Sequence, residues 1–401
     1  MKRILTALTL LLLTLVTPRA HALGIRLFPQ EPEAVSRANA FAATADNASA
    51  IYYNPAGITQ LQGQSALFGT YGIVYDVNYN GSHGASASTP DRAEFTGQFY
   101  YTLSLKDLPL TFGLGVYEPY GLKSEWSDKG PFRTIATSNS LIYVTINPVL
   151  AWKINDTLSV AAGLRVEPAH LDLRRGILVA GDQFKYSGDG TAIGFNAGIL
   201  WQPHRMHSFG VNYFSRTSVD FDGDVNITSK TPFFFPSSSD SGKLSLNFPQ
   251  HVVFGYSFRP TEDWNFEFNL DWTDWKQVTT TTLNSNSGSQ TVPFNWTSGF
   301  TYEFGVKRRL SEHMSLSAGY LYAQNSVPNQ TYNPAVPDMN LNVFSLGTVY
   351  EWDRWRLALT YQFGYGTRDV SGSPSSLIGQ NADGHYRWLS NALMLGAGVK
   401  F

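Results

Sequence analysis

The chain is expected to be all-β: a closed, fourteen-stranded antiparallel barrel that crosses a membrane, with an N-terminal hatch inside its lumen. Three observations predict this. The N-terminus carries a secretory signal, long stretches place apolar residues at alternate positions, and short turns alternate strictly with long loops.

The signal occupies residues 1–22. Lys2 and Arg3 are followed by an apolar run from Ile4 to Val16, and Ala20-His21-Ala22 is a small-x-small cleavage site, so the mature chain is expected to start at Leu23. The apolar run is too short to span hydrocarbon as a helix, which needs about 20 residues, and no later run reaches that length. An α-helical membrane protein is thereby excluded. Without cysteine the chain has no disulfide framework and no thiolate metal site. Loss of Lys2, Arg3 and Arg19 leaves 26 basic against 31 acidic residues, a balance that argues against a nucleic-acid partner. Aromatic residues at 14% nearly match charged ones at 15%, the bias of a barrel with an apolar outer band and aromatic girdles.

Alternation then marks the strands. Trp264, Phe266, Phe268, Leu270 and Trp272 take every second place, with Asn265, Glu267, Asn269 and Asp271 between them. Trp355, Leu357, Leu359, Tyr361 and Phe363 alternate with Arg356, Ala358, Thr360 and Gln362, and Phe209, Val211 and Tyr213 behave likewise. A period of two puts one set on each face, which in a membrane barrel means lipid for the apolar set and lumen for the polar one. Tight polar turns fall at 106–109, 154–156, 203–206, 260–263, 310–313 and 352–354. Loops rich in Gly, Ser, Asn and Pro fall near 80–91, 119–138, 176–189, 223–243, 279–297, 324–340 and 369–385. Six turns and seven loops join fourteen strands, with short periplasmic turns on one side and extracellular loops on the other. The expected spans are 65–79, 92–105, 110–118, 139–153, 157–175, 190–202, 207–222, 244–259, 264–278, 298–309, 314–323, 341–351, 355–368 and 386–401. Closure follows because an open edge would leave unpaired N–H and C=O groups in hydrocarbon. In 157–175 the outward set loses phase at Pro168 and resumes at Leu171 and Leu173, so a bulge is expected there.

Residues 23–63, ahead of the barrel at 64–401, show no strand alternation and are rich in alanine. Asn54-Pro55 is a good helix start, Asn as cap and Pro at the first helical position. The segment also carries Phe41, Ile51, Tyr52, Tyr53, Ile58 and Leu61, which an exposed periplasmic tail has no need of. Its expected place is the lumen, as a plug.

The run from Asp46 to Leu61, DNASAIYYNPAGITQL, closely resembles the N-terminal hatch signature of the FadL/TodX family, outer-membrane transporters for long-chain fatty acids and aromatic hydrocarbons. The stretches Tyr120 to Trp126, Ile146 to Val160 and Gly188 to Gly198 are also similar to the family's pattern. The last strand, with Leu389, Leu393, Leu395, Ala397 and Val399 ending on Phe401, resembles the closing strand of bacterial outer-membrane barrels, where the terminal aromatic addresses the barrel-assembly machinery. The likeness implies passive, ligand-gated diffusion of a hydrophobic molecule, a gating role for Asn54, Pro55 and Ala56, and a sideways exit at a kink in the third strand, here Glu118, Pro119 and Gly121. Pro119 cannot donate to a neighbouring strand, which suits an interrupted ladder or, equally, an ordinary strand end.

Other candidates come from the residues alone. Phe233, Phe234 and Phe235 between prolines in an extracellular loop can form a landing groove for ligand, or simply pack their own loop. The alternation aims Arg165, Glu167, Arg216, Arg354, Arg356 and Arg368 at the lumen, and the phase change at Pro168 adds His170, Asp172 and Arg174. Such charges can meet a fatty-acid carboxylate or merely be solvated and paired. No zinc-type histidine pair or nucleophile signature appears, so an enzyme is not expected and no cofactor is implied. The expected partners are a hydrophobic ligand, outer-membrane lipid and lipopolysaccharide. A general porin is the rival reading, and an outer-membrane barrel enzyme a weaker one. Fatty acid and aromatic hydrocarbon remain equal alternatives as ligand.

Overall fold

Alternation along the chain builds strands long enough to cross a membrane and rise above it. A computed structural model describes residues 24–81, 84–233, 236–286 and 288–401; the signal segment 1–22 lies outside these. The strands are β1 (Gln64–Gly81), β2 (Arg92–Ser104, with a short rung Ser86–Ser88), β3 (Leu110–Glu125), β4 (Ser138–Lys153), β5 (Leu158–Arg175) and β6 (Gln183–His204). Next come four interrupted strands: β7 (His207–Phe214 and Thr217–Thr228), β8 (Ser238–Phe248 and His251–Phe258), β9 (Trp264–Thr273 and Thr280–Ser285) and β10 (Gly288–Pro293 and Gly299–Arg309). β11 (Met314–Ala323), β12 (Asn340–Trp352), β13 (Trp355–Val370) and β14 (Gly384–Lys400) complete the set. Each strand pairs antiparallel with the next, and β14 pairs with β1 from Ser65↔Lys400 to Gly81↔Gly384, so the barrel is closed with fourteen strands.

In the lower barrel the faces follow the expected rule. Phe266, Leu357, Leu359 and Tyr361 are exposed on the outside, whereas Asn265, Glu267, Asn269, Asp271 and Arg356 are buried inside. Higher up, several strands run well past their expected ends. β3 continues to Glu125, β6 begins at Gln183, β7 reaches Thr228 and β8 starts at Ser238. Sequence pattern missed these extensions because the outer face there meets no hydrocarbon, and the apolar set moves to the inside.

That inversion corrects one expectation. β5 keeps a single register with β6 from Leu158↔Trp201 to Arg175↔Phe184, with Pro168 opposite Thr191 and no bulge. Positions 159, 161, 165 and 167 face inward below, and Ala169 and Leu171 continue the same inward set above. What changes at Pro168 is polarity, not phase. His170, Asp172 and Arg174 therefore lie on the outer face, where His170 meets Asp189 at 2.8 Å and Asp172 at 3.1 Å. Arg216 is likewise exposed, in the break between the two halves of β7.

The phase slip lies in β3 instead. Tyr117 pairs with Thr145 but Tyr120 pairs with Tyr143, so Glu118 and Pro119 together oppose one residue of β4. This is a bulge, and it turns the following side chains to the other face. On its other edge β3 pairs with β2 only from Thr111 to Val116, opposite Ser104 to Phe99. Above that point β2, from Arg92 to Gln98, pairs with β1 alone.

Residues 24–63 fill the lumen as three short helical turns joined by bends: α1 (Pro32–Ser36), α2 (Ala50–Tyr53) and a 3₁₀ turn Pro55–Gln60. Phe41, Ile51, Ala34 and Ile58 are fully buried. Small residues in the wall make room for this backbone: a Cβ on Gly210 would lie 2.0 Å from Ala42 O, and one on Gly198 2.4 Å from Asn54 Oδ1.

Candidate functional site

The first residues of the plug close the place where the wall is incomplete. Leu27 N–H donates to Pro119 O at 2.9 Å, and Gly121 N–H donates to Ile25 O at 3.0 Å. Gln30 Nε2 adds a bond to Glu118 O at 2.7 Å. The backbone of the β3 bulge is thus paired with the plug rather than with β2, while the Glu118 carboxylate reaches Gly97 N–H of β2. Glu118, Pro119 and Gly121 lie at one end of an unpaired stretch of barrel wall, and the strand-like segment 25–27 lies behind it.

Directly against that segment is an apolar cavity of about 200 Å³. Ile25 and Trp275 face it from the plug and from the turn between the two halves of β9, Leu122, Leu141, Leu171, Leu173, Leu244, Leu246 and Leu283 from the barrel, and Ile135, Phe294, Trp296 and Val336 from the extracellular side. The inward leucines are the set that the polarity inversion puts inside. The size, below the roughly 300–1,000 Å³ of drug-sized sites, suits a length of alkyl chain or one aromatic ring.

Its polar neighbours include Arg174, at its exposed edge, and Arg175. The Arg175 guanidinium stands 5.2 Å from the Phe184 ring centroid and makes long contacts to Gln290 Oε1 at 3.4 Å and Thr134 O at 3.5 Å. Among the described residues no carboxylate lies within ion-pair reach of it. On the far side of the cavity the loop after β11 is tied to the plug by Asp338. Its carboxylate accepts from Val327 N–H at 2.8 Å, from Ser326 N–H, and from Gly24 N–H at 3.3 Å. Burial pushes the Asp338 carboxyl up to about 6, against the pull of nearby Arg368 and these three N–H donors. Ile25, Arg175, Trp275 and Asp338 were not singled out by sequence. Each sits where the polarity inversion or a loop decides its direction, and only Arg175, next to a leucine pair now known to face inward, left a usable trace.

Below the cavity the plug meets the wall through charge and hydrogen bonds. Arg26 pairs with Asp271 at 2.7 Å, Arg37 with Glu267 at 2.9 Å, and Lys307 with Glu33 at 2.5 Å. Arg356 also binds Glu33. Burial by itself raises the Glu33 carboxyl, but Lys307 and Arg356 outweigh it and hold the group well below its usual value. Asn54 caps the 3₁₀ turn, its Oδ1 accepting from Ala56 N–H at 3.2 Å, while its Nδ2 donates to Ala42 O and to Ile199 O of the wall at 2.8 and 2.9 Å. Pro55 starts that turn and Ala56 is wholly buried in it.

Of the lumen charges, Arg165 is buried, paired with Glu167 at 3.0 Å and set over Phe214 at 5.0 Å. Arg368 is spent on Asp338 O and Asn329 Oδ1 in the loop after β11. Arg354 lies in the β12–β13 turn over Trp355. His170 is on the outer face; Arg174, exposed on that face, also borders the apolar cavity. Phe233 is 92% exposed in the loop between β7 and β8, and Phe234 and Phe235 lie outside the described residues.

Residues 13–369 match the family model for outer membrane protein transport proteins (OMPP1/FadL/TodX), most of the chain. The chain belongs to this family. It is an outer-membrane transport protein and not an enzyme. Among curated relatives, it is 23% identical to outer membrane protein P1 of Haemophilus influenzae over 408 residues, 88% of each chain. It is 23% identical to the long-chain fatty acid transport protein of Escherichia coli K12 over 391 residues, 85% of this chain and 87% of that one. Solved structures share the fold. A Pseudomonas aeruginosa FadL homologue superposes with a TM-score of 0.85 at 18% identity, covering 94% of this chain and all of that one. The Pseudomonas putida toluene transporter TodX gives 0.71 at 15% identity, covering 96% and 99%.

Proposed function

We propose that this family member carries a hydrophobic small molecule across the outer membrane by passive, ligand-gated diffusion, with sideways release through the wall at the β3 bulge. The carrying observation is the position of the apolar cavity: one of its walls is Ile25, and the same plug segment stands behind the unpaired stretch between β2 and β3. A ligand that displaces Ile25 strains the two backbone bonds that hold residues 25–27 to Pro119 and Gly121. Release in that direction keeps the ligand in apolar surroundings. The alternative, past the plug into the periplasm, leads between the buried ion pairs of Arg26, Arg37 and Glu33. Each methylene moved from an apolar site to water costs about 0.8 kcal/mol, so a ten-carbon chain meets a barrier of about 8 kcal/mol on that route.

Within the two ligand classes of the relatives, Arg175 favours a carboxylate with an alkyl chain. An arginine in an apolar cavity without an acidic partner is satisfied by a ligand carboxylate and gains nothing from an unsubstituted arene. A general porin is disfavoured because the plug occupies the lumen. Asn54, Pro55 and Ala56 serve in this reading to seat the plug on β6, Phe233 to Phe235 to catch ligand at the surface, and exposed Phe401 to address the assembly machinery.

The test is the pair Pro119→Val and Gly121→Ala. Valine supplies a backbone donor and alanine adds a Cβ that meets Leu27 Cδ1 at 2.7 Å, so the opening narrows while the cavity is untouched. Ligand binding to purified protein should stay normal and uptake by cells should fall. Normal uptake, with a structure showing a sealed wall, would exclude sideways release and favour passage through the plug.

A further inference from the structure

Beneath residues 25–28 lies a second, much smaller cavity, unlike the first in its chemistry. It measures about 20 Å³, and Arg26, Asn39, Asn212, His251, Asn269 and Phe214 are among its walls. His251 is fully buried and stacks on Phe214 with 4.3 Å between ring centroids, and neither of its ring nitrogens has a hydrogen-bond partner among the described residues. Asn212 Nδ2 donates to Tyr52 O at 2.7 Å and Asn269 Nδ2 to Asn39 O at 2.9 Å, both on the plug. Their Oδ1 atoms, and Asn39 Nδ2, are without partners among the described residues.

A buried neutral imidazole carries one donor and one acceptor, and an amide oxygen accepts up to two bonds. Several such groups are here turned to one space. One water needs roughly 10–15 Å³ measured in the same way and makes about three bonds in such places. The charges around the cavity narrow the choice of occupant. Arg26 disfavours a cation, and Asp271 and Glu303, which also line it, disfavour an anion. A small neutral molecule that both donates and accepts fits both constraints.

We propose that this cavity is a bound-water site, in which one water bridges His251 and the amide side chains of the wall to the plug. The water lies under the segment that closes the wall gap, since Arg26 reaches into the cavity while Ile25, next to it, faces the apolar one. A water bridge can re-form with new geometry when residues 25–28 shift, whereas a direct bond between plug and wall must break. The site thus eases displacement of the segment; this consequence, though not the site itself, rests on the release route proposed above.

The test uses the full mature protein. A crystal structure at a resolution that shows ordered water should place one roughly 2.6–3.2 Å from a His251 ring nitrogen. His251→Phe keeps the stacking on Phe214 and removes both nitrogens; its structure should show that water lost or weakened, with uptake several-fold slower and ligand binding unchanged. A dry cavity in which His251 has turned to bond the protein directly would overturn the site, as would a water that stays fully ordered in His251→Phe. Barrel assembly of the variant is checked by heat-dependent migration on gels, and Asn212→Leu provides a second variant should the first not assemble. Wild-type uptake in a variant that has lost the water would overturn the link to plug movement, leaving the release route to be judged by the Pro119 and Gly121 variants.

Discussion

Glu267→Ala should unseat the plug without breaking the barrel wall. Glu267 is fully buried and binds the plug three times, pairing with Arg37 at 2.9 Å and accepting from Ala43 N–H at 2.7 Å. Thr44 Oγ1 donates to it as well. Removing the carboxylate leaves the Arg37 guanidinium, also fully buried, without its counter-charge, a change that costs about 3–5 kcal/mol. The β9 backbone ladder is untouched, so the cost falls on the contact between plug and wall. At about 1.4 kcal/mol per tenfold, the population of displaced plug rises roughly 140- to 3,700-fold. The assay is ion conductance of purified protein in planar bilayers, with amide exchange followed at Ala43. Frequent openings and faster exchange are expected. The double variant Arg37→Met with Glu267→Leu removes both charges together and should restore a quiet, closed barrel. Wild-type conductance and unchanged exchange at Ala43 in Glu267→Ala would refute the view that buried charge holds the plug.

Four further outcomes are expected. Asn54→Ala loses the cap on the 3₁₀ turn, worth about 1 kcal/mol, and its bond to Ile199 O; uptake should change while the barrel assembles normally, and unaltered uptake in both Asn54→Ala and Pro55→Ala would remove the gating role of this turn. Arg175→Leu should weaken binding of a long-chain carboxylate at least tenfold and leave an arene unaffected, as measured by ligand titration of purified protein; equal loss for both would contradict the carboxylate assignment. Asp338 holds its proton in the folded protein up to about pH 6, above its unfolded value near 3.9, so its contribution to stability grows as pH falls through 6 and levels off below about 4. The change is about 3 kcal/mol, and Asp338→Asn should flatten that part of the thermal unfolding profile. Cysteines placed in loops 229–237 and 371–383 should react with an impermeant reagent on intact cells, and those in turns 205–206 and 259–263 should not; labelling of the turns would reverse the topology.

Much of the fold was legible in the sequence because hydrocarbon imposes a simple rule. Where lipid surrounds the barrel, the outward set must be apolar, and Phe266, Leu357 and Tyr361 announce their strands by alternation. The turns before β5, β9 and β13 were equally plain, since a tight reversal needs polar residues at fixed spacing. Above the hydrocarbon the same alternation persists with the opposite meaning. Leu171 and Leu173 inside, with His170 and Arg174 outside, read as a phase slip when the strand was assumed to stay in lipid. The true slip, at Glu118 and Pro119, left no such mark, because a bulge is defined by the neighbour's register, which one strand does not carry.

The candidate site divides in the same way. Local chemistry identified Asn54-Pro55 as a helix start, because cap and proline act on adjacent residues. Pairing of Ile25 and Leu27 with the bulge, closeness of Trp275 to Ile25, and the hold of Asp338 on Gly24 each join residues more than 90 positions apart. No local pattern encodes such contacts; closure of the barrel and filling of its lumen bring them together. The chain's own alternation therefore decides that it becomes a barrel, while the apolar cavity and the plug contacts behind the wall gap exist only once fourteen strands have closed around the plug.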